Sequence, residues 1–324
     1  MADYKAIKGH TIQTVSGDPG TIVDGLIWYD SVARKVQGSK TAAGSWATGE
    51  ALPAVMVKNA GAGIQTAAIV FGGLDADGVA DESYTYDGTD WTDIGAMTNN
   101  RQMLGGCGTS TAALGAGGYP VPARGADTEE WNGSAWSETA NLGTSRYGCH
   151  SAGTQTAALC ITGHTYPGSE TVNVEQYDGS SWTEIANVNT SRRQHAAAGT
   201  STAALAIGGN NGGSVSDAVE SWNGTAWTET HEINTARDAL GGDGTSTLAL
   251  VWGGTSPARD ETEVYDGSSW TESGDLNSGR WGTSGGGTTS SAVTAGGFVL
   301  PGNTASTATE EWTQASAAVT FTSS

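Results

Sequence analysis

The chain has 324 residues, of which 49 are Gly and 12 are Trp, and its formal net charge at pH 7 is −20. This number of Trp residues excludes a disordered Gly-rich polymer, because such polymers contain few aromatic side chains. The acidic surface repels phosphate and anionic headgroups, so we expect no direct binding of nucleic acid.

We expect no secretory signal at the N-terminus. Residues 1–8 lack an apolar core, and no stretch of the chain approaches the roughly 20 apolar residues of a membrane span. We therefore expect synthesis in a cytoplasm without a signal peptide, and no membrane insertion. The three cysteines, Cys107, Cys149 and Cys160, show no paired metal-ligand spacing, so we predict small buried strand residues.

Residues 1–40 differ from the rest of the chain. Residues 25–31, followed by residues 32–40, predict two short strands. An isolated hairpin is marginal in water and needs a surface to lie on, which is either the main domain or a partner. We interpret residues 1–40 as an arm that attaches the protein to a partner, with Trp28 and Tyr29 as its anchor.

From residue 46 onward, a Trp recurs at intervals of 45, 45, 46, 45 and 43 residues. Each interval contains a segment ending in Arg, an apolar strand ending in Gly-Gly, a variable loop, and a strand that leads into a hairpin. Residues 177–182 show the hairpin, in which Asp178-Gly179 favours a tight turn because Gly adopts positive φ. Four short strands per unit of about 45 residues are typical of a β-propeller blade.

The Gly pairs, the hairpin aromatic residue and the spaced Trp resemble the Kelch repeat family over about residues 41–316. One Gly pair is altered, to Gly163-His164. The resemblance implies an all-β fold, a six-bladed Kelch-like β-propeller with a small N-terminal β-hairpin arm.

The two ends of the repeat array are incomplete in complementary ways. Trp312 stands in the first aromatic position of a hairpin but no second Trp follows it, whereas Trp46 has no first aromatic before it. We therefore predict that the strand around Trp46 completes the last blade and removes a sheet edge. The predicted propeller spans residues 41–324, and residues 317–321 could compete for that place or add beside it.

Arg and Glu recur together in the repeats. An Arg lies ten residues after each spaced Trp, and a Glu lies two residues before each hairpin aromatic, but the first repeat has Met56 and Tyr84 instead. This joint loss predicts structural ion pairs, because losing one partner would strand a buried charge. The alternative is a ring of Arg that reads an anionic ligand. The residues are Arg101, Arg146, Arg192, Arg237 and Arg280, with Glu129, Glu175, Glu220, Glu263 and Glu310.

The variable loops are the predicted binding surface. In a four-stranded up-and-down blade, the connections from strand four to strand one and from strand two to strand three emerge on one face. A constant scaffold with variable loops on one face is typical of binding surfaces. The contact candidates are Tyr119, Arg124, Tyr166, Asn210, Asn211, Arg259 and Phe298.

We expect no cofactor, no metal and no catalytic residue. Asp75, Asp77 and Asp81 suggest calcium, but the segment lacks the later bidentate Glu of a complete calcium loop. The candidate catalytic side chains His150, His164 and His195 lie in different repeats, and no Ser or Cys has a nucleophile-elbow context. A carbohydrate-active or oxidising enzyme stays as an alternative.

A second resemblance concerns the N-terminal segment. Residues 25–31, a basic second strand and Gly44-Ser45-Trp46 look like the short hairpin that precedes repeat domains in tail-fibre, adhesin and decoration proteins of marine bacteriophages. The resemblance implies a non-enzymatic virion-surface protein, oligomeric in the particle. Residues 1–40 would dock to other virion proteins, and the loop face would bind host surface glycan or a neighbouring subunit. A cellular Kelch-type protein-interaction scaffold is a further alternative.

Overall fold

The computed structural model describes residues 13–16, 27–120, 125–255 and 259–320. The chain divides into two units: an N-terminal unit, Met1–Gly44 with Gln314–Ser324, and a propeller unit, Ser45–Thr313. Our predicted boundaries assigned residues 314–324 to the propeller. That assignment is wrong, because the last described strand pairs with a strand of the N-terminal segment. Within the described residues no helix could span a bilayer.

The N-terminal unit contains a four-stranded sheet. Its first two strands are parallel, and the others pair in antiparallel fashion. Asp30 caps the turn between the second and third strands, since its Oδ1 accepts the N–H groups of Val32 and Ala33. The strands, in sheet order, are Gln13–Val15, Ile27–Asp30, Lys35–Thr41 and Ser316–Thr320.

In its described residues the propeller unit forms six four-stranded antiparallel sheets, which we number in chain order. Sheets 1 to 3 each take four successive strands, ordered from the inside outward. They are Ala60–Ile64, Ala67–Leu74, Val79–Tyr86 and Trp91–Ala96; Gly105–Thr109, Ala112–Ala116, Thr128–Trp131 and Trp136–Glu138; and His150–Thr154, Ala157–Ile161, Val174–Tyr177 and Trp182–Glu184.

Sheets 4 and 5 follow the same plan, but sheet 6 takes its outer strand from the start of the unit. The strands are Ala196–Thr200, Ala203–Ile207, Val219–Trp222 and Trp227–Glu229; Gly241–Gly244, Ala249–Trp252, Thr262–Tyr265 and Trp270–Glu272; and Ser284–Gly287, Ser291–Ala295, Thr309–Thr313 and Ser45–Gly49. Trp46 lies opposite Trp312 in this last pairing, which is the closure that the sequence predicts. Five short strands form two small separate sheets on the loop side: Arg146–Tyr147 with His164–Thr165, and Arg280–Trp281 with Phe298–Val299 and Thr304–Ala305.

The innermost strands form a closed ring. Each contacts the innermost strand of the next sheet, and that of sheet 6 contacts that of sheet 1. These strands consist mainly of Gly and Ala because they crowd around one axis: a Cβ on Gly106 would lie 2.8 Å from the Cβ of Ala60. The second strands, such as residues 68–71, are buried on both faces because sheets pack on either side. The all-β class and the propeller architecture are thus confirmed.

A ring of six backbone hydrogen bonds surrounds one end of the central channel. The residue two positions after each repeated Arg, or after Met56, donates its N–H to the carbonyl of the equivalent residue in the preceding sheet, over 2.6–2.9 Å. We call these six residues the mouth ring: Lys58, Met103, Gly148, Gln194, Ala239 and Gly282.

Candidate functional site

The predicted Arg–Glu pairs are present, and each lies within one sheet. Arg101 Nη2 is 3.0 Å from Glu129 Oε1, and Arg101 Nη1 donates to the carbonyls of Gly117 and Asp127. The other oxygen of Glu129 accepts the N–H of Thr98, at 2.6 Å. Each pair therefore fastens the incoming connection to the second and third strands. The others are Arg146–Glu175, Arg192–Glu220, Arg237–Glu263 and Arg280–Glu310.

The alternative of an Arg ring that reads a ligand is wrong. All five Arg side chains are buried, and they donate to Glu oxygens and to backbone carbonyls of their own sheet. No guanidinium of this set is exposed at the surface, where it could meet a ligand.

Sheet 1 shows how the ion pair can be replaced. Met56 and Tyr84, at the Arg and Glu positions, are 1% and 4% exposed. The position whose N–H binds the Glu in the other sheets is occupied in sheet 1 by Pro53, which has no N–H. The repeat thus lost the cation, the anion and the backbone donor together.

The same scaffold presents a variable pair of side chains in every sheet. The residue after the Arg, or after Met56, hydrogen-bonds through its backbone to the residue after the Gly pair. In sheet 3 that pair is Thr162-Gly163, so the sequence-based alignment of Gly163-His164 with the Gly pairs is wrong by one residue. These positions lie on the face of the loops between strands two and three. We call them the rim pairs: Val57 with Leu74, Gln102 with Tyr119, Tyr147 with His164, Arg193 with Asn210, Asp238 with Thr255, and Trp281 with Phe298.

Aromatic side chains gather at the rim pairs of sheets 2 and 3. The rings of Tyr119 and Tyr147 are 5.9 Å apart edge to face, and Tyr147 lies 5.0 Å from His164. Tyr119 is 42% exposed, and Tyr166 in the next loop is 56% exposed. We call Tyr119, Tyr147 and His164 the tyrosine cluster; it presents aromatic surface to solvent beside polar edges.

Polar contacts continue from this cluster into sheets 4 and 5. Glu170 Oε1 lies 3.2 Å from His164 Nδ1 and 3.3 Å from Arg193 Nη1. In sheet 4, Asn210 Nδ2 donates to Asp238 Oδ2 over 3.1 Å. Neighbouring rim pairs are therefore held in fixed positions relative to one another.

A second aromatic group lies at sheet 6. Trp281 and Phe298 stack with their centroids 4.6 Å apart, and Trp281 Nε1 donates to Asn303 Oδ1. Lys58 Nζ of sheet 1 lies 5.7 Å from the Trp281 centroid and 5.9 Å from the Phe298 centroid. Burial lowers the pKa of the Lys58 ammonium.

The central channel is too narrow to hold a sugar. Its cavity of about 80 Å³ is lined by small residues of the inner strands, whereas ligand pockets typically measure about 300–1,000 Å³. His150 lines this cavity, and its ring centroid is 5.4 Å from that of the buried His195. His150 and His164 both belong to the repeat of sheet 3, so the expectation that the three histidines lie in different repeats is wrong. Burial lowers the pKa of His150 to about 4 and that of His195 well below its ordinary value, so both imidazoles are neutral at pH 7.

Acid should destabilise the propeller unit through these two imidazoles. An unfolded His titrates near pH 6.5, so the contribution of His150 is complete above that pH and is lost as the pH falls towards 4. At about 1.4 kcal/mol per pKa unit, His150 alone accounts for roughly 3 kcal/mol. Urea unfolding midpoints measured between pH 7 and 4.5 check this expectation.

The matched control changes His150→Ala and His195→Leu, since other sheets carry Ala60 and Leu104 at these positions. The stability of this double variant should then fall less steeply as the pH is lowered. Burial raises the pKa of Asp243 to about 6, so Asp243 acts with the opposite sign: its contribution is complete below about pH 4 and is lost as the pH rises through 6. If the double variant loses stability in acid as steeply as the native protein does, His150 and His195 are not the cause of that loss.

The remaining sequence candidates have different surroundings. Tyr119 and Tyr166 are exposed, and Phe298 stacks on Trp281. Asn211 Oδ1 accepts the N–H groups of Gly213 and Ser214, so this amide stabilises its own loop.

The charged candidates and the anchor add less to the loop face. Arg259 Nη1 pairs with Glu261 at 2.9 Å, and Arg124 lies outside the described residues. The anchor prediction needs correction, because the Trp28 side chain is fully buried and offers no contact surface; Tyr29 is half-buried.

The metal and cysteine expectations fall on described residues. Asp75 Oδ1 accepts the N–H groups of Asp77 and Gly78, so this carboxylate caps its own turn. Across the described ranges, no three His, Cys, Asp or Glu side chains are grouped to hold a metal ion. The three cysteines are free and buried. Cys107 and Cys160 lie in strands as predicted, but Cys149 lies between two strands.

The predicted contact candidates contain one member of three rim pairs, namely Tyr119, Asn210 and Phe298, and no member of the other three. Tyr147 and Trp281 each follow a repeated Arg directly, and Lys58 follows Met56 by two residues. The signal is the constant separation of 16 residues between each Arg and the glycine, or Thr162 in sheet 3, whose carbonyl it binds. That spacing places the residue after each Arg opposite the second residue after the carbonyl, which is its rim partner.

No protein-family model and no curated protein sequence matches the chain. Solved structures do match. One, described as the structure of YjhT, superposes with a TM-score of 0.68 at 14% identity and covers 81% of this chain and 95% of its own. The chain is a β-propeller. At this level of identity the likeness concerns the fold alone.

Proposed function

We propose that this propeller is a non-enzymatic binding protein of a phage virion whose loop face binds host surface glycan. The observation that carries the binding role is the tyrosine cluster, which exposes aromatic rings beside His164 and Arg193 on a scaffold fixed by buried ion pairs. Tyr side chains suit sugars because they combine an apolar ring face with a polar hydroxyl.

Two of the three histidines considered as catalytic candidates are in surroundings that favour binding over catalysis. His150 and His195 are buried and neutral, and the channel that His150 lines is too small for a sugar ring. The phage assignment rests on the resemblance of residues 25–46 to hairpins of virion proteins. In this proposal the N-terminal unit docks to other virion proteins, and its strand Ser316–Thr320 belongs to the docking part.

Changing both Tyr119 and Tyr147 to Ala should weaken glycan binding by about tenfold or more, equivalent to about 1.4 kcal/mol. Tyr119 is largely exposed, so the change removes contact area without opening the core. Binding is measured on an array of host surface glycans and then by calorimetry with the best ligand.

The control is Tyr29→Ala, which removes a Tyr from the N-terminal unit and should leave glycan binding unchanged. If the Tyr119/Tyr147 variant binds glycan as tightly as the native protein does, the tyrosine cluster is not part of the binding site. Turnover of the bound glycan by the native protein would instead favour the carbohydrate-active enzyme alternative.

A further inference from the structure

The propeller unit is strongly acidic, and its few cations are almost all neutralised. Its sequence contains nine basic and 30 acidic residues. Five Arg form the buried pairs, Arg193 pairs with Glu170, and Arg259 pairs with Glu261. Arg124 lies outside the described residues. That leaves Lys58, the single Lys of this unit.

The Lys58 ammonium has no carboxylate or hydrogen-bond partner within the described ranges of the chain. Its neighbours are the ring faces of Trp281 and Phe298. Aromatic faces attract a cation but do not accept its three N–H groups. A half-buried cation in this state retains donors for a ligand that supplies oxygen acceptors.

The surroundings of Lys58 form a site rather than an open surface. Gly282 has no side chain where a Cβ would lie 3.3 Å from Lys58 Cγ, so the lysine stem passes over it towards the aromatic rings. Beside Lys58 lies a cavity of about 40 Å³ within the mouth ring, which is large enough for a few water-sized groups.

Asn59 provides a second, independent indication of a ligand. This side chain is 8% exposed, it lines the same cavity, and neither its amide nitrogen nor its amide oxygen has a hydrogen-bond partner. Buried polar groups nearly always have partners, and the exceptions require an explanation such as a bound group. A polar ligand at Lys58 would provide one.

We propose that Lys58, Asn59, Trp281 and Phe298 form a subsite for an oxyanion, a carboxylate, sulfate or phosphate group carried on a sugar ring. Lys58 neutralises the oxyanion, the two aromatic rings contact the sugar, and Asn59 hydrogen-bonds to a polar group of the ligand. The acidic remainder of the unit repels anions, which confines an acidic sugar to this place. This inference rests on the proposed glycan-binding function and specifies the class of glycan.

The experiment compares sugars that differ only in the anionic group. Glucuronate, glucose 6-sulfate and glucose 6-phosphate are titrated against neutral glucose into the full-length protein, with NMR detection of the lysine side chains. Inorganic sulfate alone is a further probe. The acidic sugars should bind about tenfold more tightly than glucose, or better. Their binding should weaken when the salt concentration is raised from about 0.05 to about 0.5 M, because salt screens the charges.

Three variants test Lys58 itself. Lys58→Met keeps the aliphatic stem and removes the charge, whereas Lys58→Arg keeps a charge. Lys58→Gly removes the whole side chain, and Gly tolerates the positive φ of 55° at this position. Sheets 3 and 6 have a Gly at the equivalent position. The Met and Gly variants should lose about tenfold in affinity for acidic sugars only, equivalent to about 1.4 kcal/mol, while the Arg variant retains most of it. Lys35→Met in the N-terminal unit is the matched control.

The outcomes separate this inference from the proposed function. Binding of acidic sugars that is no tighter than that of glucose, or that is equal in the Lys58→Gly variant, would overturn the subsite while glycan binding at the tyrosine cluster could stand. A Lys58 resonance that responds to inorganic sulfate in a protein that binds no glycan would support the anion site and remove the glycan proposal.

Discussion

Replacing Arg237 with Met should lower the free energy of unfolding by about 3–5 kcal/mol, the usual cost of breaking a buried ion pair from one side. Glu263 would keep its charge while 1% exposed, and among the described residues only the N–H group and side chain of Asn234 would remain as its partners. Urea unfolding at pH 7, followed by Trp fluorescence, measures the loss.

The chain itself supplies the rescue. Sheet 1 carries Pro53, Met56 and Tyr84 at the positions of Asn234, Arg237 and Glu263, and it folds without the ion pair. The triple variant Asn234→Pro, Arg237→Met and Glu263→Tyr should therefore recover most of the stability that the single change removes. A double variant that keeps Asn234 should fall between them, because it leaves one backbone N–H without its acceptor.

Two outcomes would contradict this account. If the Arg237→Met variant has the same urea midpoint of unfolding as the native protein, the ion pair contributes nothing to stability. If the triple variant is no more stable than the single variant, the three positions of sheet 1 are not an apolar equivalent of the pair. Replacing buried ion pairs with apolar groups of similar volume is often neutral or stabilising, which gives the rescue its physical basis.

The scaffold could be predicted from the sequence because its signals are local and repeated. Each hairpin has its own turn residues: Asp178 Oδ1 accepts the N–H groups of Ser180 and Ser181, and Gly179 has a φ of 90°. Since the units recur at a nearly constant interval, a pattern found in one of them places strands in all of them. The joint absence of Arg and Glu in the first repeat then identified them as partners.

The rest depended on contacts that no local pattern encodes. Ser316–Thr320 pairs with Lys35–Thr41, which lies near the opposite end of the sequence. A short apolar strand can pair with any open sheet edge, so its sequence alone does not identify this partner. The binding candidates were sought in the loops, so Tyr147 and Trp281 were overlooked beside the repeated Arg. Lys58 stands out only when every other described cation of its unit has been assigned a partner.

The ring should remain closed when the N-terminal unit is removed, but not when five further residues are lost. We expect a fragment of residues 45–313 to fold as a monomer, because Ser45–Gly49 pairs along the whole of Thr309–Thr313. A fragment of residues 50–313 leaves that strand as an open edge and uncovers Trp312, so it should aggregate or unfold. Size-exclusion chromatography and thermal unfolding of the two fragments measure the difference.

A substitution at Trp46 distinguishes the contribution of side-chain packing from that of backbone strand pairing in the closure of sheet 6. Trp46 packs 5.6 Å from Trp252 and 5.4 Å from Trp312, and its Nε1 donates to Thr262 Oγ1 over 2.8 Å. Trp46→Ala in the fragment of residues 45–313 should cost about 3–5 kcal/mol and still leave a closed monomer, because the backbone pairing is retained. A fragment of residues 50–313 that is as stable and monomeric as the longer one would show that another segment completes sheet 6.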